Sequence, residues 1–89
     1  MARHAIEFHP SADKALRKLP VGTQRRIVAA VERLADDPRP PGCVKLAGDE
    51  NLWRIRVGDY RVVYEIHDKR LLVLVVRVGH RRDVYKKGK

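Results

Sequence analysis

The apolar positions of this chain change period as it is read, and each change marks an element. His4, Ile6 and Phe8 alternate with Arg3, Ala5 and Glu7, the period of a short strand. Pro10 then suits the first position of a helix, with His9 or Ser11 as its cap. Ala12, Ala15, Leu16 and Leu19 form one helical stripe, which Pro20 breaks. A second helix is predicted from Val21 to Asp36, with Ile27, Val28, Val31 and Leu34 on its apolar face. A turn at Pro20 makes the two an αα-hairpin. The Pro-rich stretch Asp37 to Gly42 is a rigid loop, too short for a domain linker.

Two alternating runs follow, joined by Gly58-Asp59. That dipeptide suits a two-residue type II′ turn, because Gly58 can take a positive φ. With such a turn Val57 faces Tyr60, Arg56 faces Arg61, Ile55 faces Val62 and Arg54 faces Val63. Trp53, Ile55, Val57, Tyr60, Val62 and Tyr64 then share one side of the pleat, and Arg54, Arg56 and Arg61 share the other. His67 to Arg70 reads as a turn. Leu71 to Val76 is apolar on both faces, as expected of a strand in the middle of a sheet, with the first strand beside it and Gly79 at its end. The order is β-α-α-β-β-β. It specifies an α+β fold with a two-helix hairpin packed on one face of a small, mainly antiparallel sheet, and residues 1–89 form one domain.

Charge sharpens this picture. The 89 residues carry a formal net charge of +9. Residues 1–44 hold eight Lys and Arg against five Asp and Glu, whereas residues 45–89 hold twelve against six. The excess therefore lies in the hairpin half, and it points to a polyanionic partner, nucleic acid before membrane. A chain this short has no room for a large enclosed pocket, so a site would be an open surface. Cys43 is the single cysteine, which excludes an intrachain disulfide and a cysteine-based zinc cluster and fits a reducing cytosol. The start of the chain has no apolar signal core, and the longest apolar run cannot span a bilayer. His4, His9, His67 and His80 are scattered without metal-ligand spacing, and no glycine-rich phosphate loop appears. No metal and no cofactor are expected.

The candidate chemistry lies in Arg54, Arg56, Arg61 and the basic tail that follows Gly79. Arg56 directly opposite Arg61 is unfavourable, since like charges across a ladder repel. The trio reads either as a solvated basic face or as a phosphate site, and the opposed pair favours the second. Guanidiniums grip phosphate oxygens in forked pairs but do not exchange protons near neutral pH. Proton transfer would fall to His80 or Tyr85, although the residues alone favour a surface imidazole and a stacking or packing aromatic for those two. RNA suits such a site, because its 2′-OH is a built-in nucleophile beside the scissile phosphate.

Lys45-Leu46-x-Gly48, the segment Trp53 to Ile66, and Val78-Gly79-His80-Arg81 with Val84-Tyr85 resemble the RelE/ParE toxin superfamily, in the RelE branch, over nearly the whole chain. The resemblance implies a cytoplasmic toxin of a type II toxin–antitoxin pair that cleaves mRNA in the ribosomal A site without metal, and whose partners are a cognate antitoxin, the ribosome and mRNA. By position it implies catalytic roles for Arg54, Arg56, Arg61, Arg81 and Tyr85, with His80 as the alternative base. Lys45 falls near an RNA-contacting position, and Arg82, Lys86 and Lys87 extend the RNA-binding surface. Well-known ribonucleases of the family often carry lysines where this chain has Arg54 and Arg56, so electrostatic stabilisation is kept there and acid–base chemistry is not. A ParE-like gyrase poison and a non-enzymatic RNA- or ribosome-binding module are the rival readings.

Overall fold

A computed structural model describes residues 3–46 and 51–80. Strand β1 (Ala5–Phe8) leads into helices α1 (Pro10–Arg17) and α2 (Val21–Arg33), followed by β2 (Val44–Lys45), β3 (Leu52–Val57), β4 (Tyr60–His67) and β5 (Leu72–His80). The strands form one sheet in the order β1-β5-β4-β3-β2, antiparallel except where β1 runs parallel to β5. The α+β class and the helix hairpin on one sheet face agree with the sequence reading. Three details differ. The short β2 adds a fifth strand at the edge. Helix α2 ends at Arg33, before Asp36. Strand β5 runs through Gly79 to His80.

Local chemistry accounts for the helix boundaries. The ring of His9 caps α1 by accepting the Ser11 amide at 3.2 Å, satisfying one of the orphan donors of the first turn. Pro10 fits the first turn because its missing N–H has no partner to lose. At the other end of α1 the Gln24 amide donates to the carbonyls of Leu19 (2.8 Å) and Arg17 (3.3 Å), so α2 terminates α1.

The core lies between the helices and one sheet face. Ala12 and Leu16 of α1, Ile27 and Val31 of α2, and Leu34 just beyond it pack against Ile55, Val62, Tyr64, Ile66, Val73, Val75 and Val78. Tyr64 is fully buried, and burial pushes its phenol well above the ordinary value. Its hydroxyl donates to the Pro38 carbonyl at 2.7 Å, fixing the Pro-rich loop to the sheet. The same loop is held from outside by Arg39. Its guanidinium lies 5.1 Å from the centre of the Trp53 ring and donates to Asp68 at 3.0 Å. This hydrogen bond, with a second from His4, holds the Asp68 carboxyl below its usual range.

Strand β5 contains a bulge that sets the geometry of the site. Val63 faces Arg77 but Tyr64 faces Val75, so Val76 is an extra residue in the ladder. Alternation is shifted by one beyond that point.

Tyr64→Phe should remove the anchor of the Pro38 loop and leave its carbonyl without that donor. The expected loss is about 1–2 kcal/mol in denaturant-induced unfolding. An unchanged midpoint would show that the loop is held by other contacts.

Candidate nucleic-acid interface

Ladder pairing assigns a face to each candidate residue. Val57 pairs with Tyr60, Arg56 with Arg61, Ile55 with Val62 and Arg54 with Val63, the register the two-residue turn predicts. Gly58 takes φ +60° while Asp59 keeps a negative φ, as a type II′ turn requires. A side chain at Gly58 would be strained at that φ and would also meet Arg26, whose guanidinium comes within 2.8 Å of the Cβ position.

Paired residues share a face, so the sheet side away from the helices carries two parallel rows. One is Arg56–Arg61–Gly79 and the other is Arg54–Val63–Arg77. Neighbouring strands lie about 4.8 Å apart, so Arg56 and Arg61 are one strand spacing apart, and Arg54 and Arg77 flank Val63. Arg56 and Arg77 are exposed, Arg54 is half-buried, and Arg61 retains only 8 % of its accessible surface. Arg61 is the one charged residue in the buried set of the described residues. A guanidinium partly withdrawn from water interacts more strongly with an anion than a solvated one.

Two candidates fall on the other side. His80 pairs with Tyr60, and their rings meet edge to face with centroids 5.6 Å apart. The expected grouping of His80 with Arg56 and Arg61 is therefore corrected: the bulge at Val76 turns His80 toward the helix side. Lys45 pairs with Trp53 and so also shares the helix-side parity, at the sheet edge. Arg81, Arg82, Tyr85, Lys86 and Lys87 lie outside the described residues. Arg77 is a cation of the arginine face that the sequence reading missed. Among the described residues no group of three His, Cys, Asp or Glu side chains is placed to hold a metal ion, and no helix is long and apolar enough to cross a membrane.

This fold has known counterparts. Residues 6–85 match the family described as the ParE toxin of the type II toxin–antitoxin system parDE. The chain belongs to the RelE/ParE superfamily of type II toxins. Toxin RelG of Mycobacterium tuberculosis is 36% identical over 92 residues, covering 94% of this chain and 98% of RelG. The archaeal RelE–RelB complex from Pyrococcus horikoshii superposes with a TM-score of 0.79 at 30% identity, covering 89% of this chain and 96% of that one. The RelBE2 toxin–antitoxin complex of Mycobacterium tuberculosis gives 0.80 at 28% identity, covering 91% and 94%. The RelE-like toxin assignment thus agrees with the resemblance seen in the sequence.

The opposed Arg56 and Arg61 yield a test of cross-strand repulsion. Arg56→Gln should raise stability by about 0.2–1 kcal/mol at low salt through relief of repulsion with Arg61, and the gain should shrink at high salt. The same variant should bind a short RNA more weakly. A loss of stability on this substitution would show that Arg56 is held by a favourable contact.

Proposed function

We propose that this toxin is a ribosome-dependent endoribonuclease that cleaves mRNA in the A site and so inhibits translation. The observation that supports this reading is the Arg56–Arg61–Gly79 row, with Arg54 and Arg77 on either side of Val63, on the face free of helices. The exposed Arg56 and Arg77 suit an extended RNA strand, and the two rows suit consecutive phosphates.

The chemistry assigned to this site needs three actions. The 2′-OH must lose a proton, the pentavalent phosphorane must be stabilised, and the departing 5′-oxygen must be supported. Arg61 and Arg56 take the second role, since guanidiniums stay charged and donate in forked pairs. The shielded position of Arg61 strengthens its interaction with the developing charge. Arg81 supports the leaving oxygen, and Arg54, Arg82, Lys86 and Lys87 bind neighbouring phosphates. Lys45, at the sheet edge, contacts the strand farther along. Tyr85 takes the role of removing the proton, with His80, which shares the helix side with Tyr60, as the alternative base. The nucleophile belongs to the substrate, so the reaction calls for neither metal nor cofactor.

A small site whose exposed arginines, among the described residues, are Arg56 and Arg77 holds RNA loosely. The ribosome supplies the alignment, and orientation alone can lower a barrier by several kcal/mol. The proposed partners are therefore the ribosome, mRNA and a cognate antitoxin in the cytoplasm. The neighbouring structures include RelE–RelB complexes, and a net charge of +9 favours an acidic antitoxin that covers the arginine face. The matched family is described as a ParE toxin, which gives gyrase poisoning as the second reading.

Mapping 5′ ends on mRNA translated in a purified system tests the proposal. The wild type should cut within the A-site codon, and Arg61→Ala should slow cutting by about a hundredfold or more. Arg56→Ala, at an exposed position, provides a variant whose loss of cutting is not a loss of fold. Equal cleavage by all three would remove the mechanism. Intact mRNA with broken DNA would favour the gyrase reading, and tight, salt-dependent RNA binding without cut products would favour a non-enzymatic module.

A further inference from the structure

The helix side of the sheet end carries a second concentration of cations. Helix α1 presents Ser11 and Lys14 and its cap residue Lys18, spaced i, i+3, i+7 and so aligned along one stripe. These residues line an open groove whose other wall is the Tyr60–His80 pair and whose floor includes Val78. Among the described residues that line the groove there is no carboxylate. The nearby Asp13 is turned to Arg17, with which it forms an ion pair at 3.0 Å. Two lysines four residues apart on one helix face repel each other, as Arg56 and Arg61 do across the ladder.

The groove adjoins the arginine face. Tyr60 precedes Arg61 on β4, and His80 follows Gly79 on β5. One residue step, about 3.3 Å, therefore separates the aromatic pair from the arginine row, and the two lie on opposite faces at the same end of the sheet. A strand of RNA crossing that end would leave the arginines and meet the groove at once.

We propose that this groove is a second RNA-binding subsite, in which one unstacked base lies against Tyr60 and its phosphate is held by Lys14 and Lys18. The proposal rests on the reading of this toxin as acting on RNA, and it extends the RNA-binding surface beyond the arginine face. A base suits the place because an aromatic ring offers a sequence-tolerant stacking platform, and lysines beside such a ring hold the backbone. The continuity with the arginine face favours nucleic acid over an acidic peptide.

The test uses the full-length toxin and a six-nucleotide RNA made uncleavable by 2′-O-methylation, followed by fluorescence anisotropy across a range of salt. The double variant Lys14→Ala/Lys18→Ala should bind about tenfold more weakly, and its salt slope should fall by about 0.7 for each phosphate it no longer neutralises. Tyr60→Leu should also weaken binding about tenfold with the slope unchanged, whereas Tyr60→Phe should bind like the wild type. On an abasic oligomer of the same length Tyr60→Leu should cost nothing. Wild-type affinity and slope in the lysine double variant would overturn the proposal, as would an equal loss by Tyr60→Leu on the abasic oligomer. Both lysines are exposed, so their variant reports even if Tyr60→Leu fails to fold. Binding is read without cleavage. Absence of mRNA cutting by the wild type would end the enzymatic reading and leave these binding differences to stand or fall alone.

Discussion

The register of the β3–β4 ladder is the constraint on which the rest of this structure depends. Gly58 and Asp59 close it in two residues, and that fixes which side chain faces which. A slip of one residue would turn Ile55 and Trp53 to the solvent and press Arg54 and Arg56 under α1 and α2. The cost of burying those charges and the removal of the apolar packing act in the same direction. The hydrophobic core and the arginine face are therefore one specification: the helices can cover only the side that lacks guanidiniums.

That arrangement accepts an unfavourable term. Arg56 faces Arg61 across the ladder, and Arg61 keeps only 8 % of its surface exposed. Burial and like charge both disfavour a guanidinium, yet arginine does not shed its charge near neutral pH. A phosphate bound between Arg56 and Arg61 would offset their mutual repulsion, which is why this juxtaposition carries more weight for the proposed function than the net charge of +9. The core provides the offset. Tyr64, Ile27, Leu34, Val31, Val62, Val73 and Val75 are fully buried directly behind these strands.

Much of this was legible in the sequence because the turn dictates the register and strict alternation dictates the faces. The positions of Arg54, Arg56 and Arg61 follow from those two facts alone. What was not legible has physical causes. Leu71 to Val76 is apolar on both faces, so alternation gives no phase there, and the extra residue at Val76 leaves no mark in the pattern. That bulge moves Arg77 onto the arginine face and His80 off it. Strand β2 is two residues long, below the length at which a period can be read. Strand β1 pairs in parallel, and its direction depends on how the helices return the chain, which four alternating residues do not encode.

The central claim is that Arg56 and Arg61 act together on one phosphate. The direct measurement is an NMR titration of the arginine Nε–Hε resonances with a dinucleotide lacking the 2′-OH at the scissile position. The account predicts that the signals of Arg56 and Arg61 move together and saturate at the same ligand concentration. Movement confined to cations elsewhere, with these two unchanged, would contradict it.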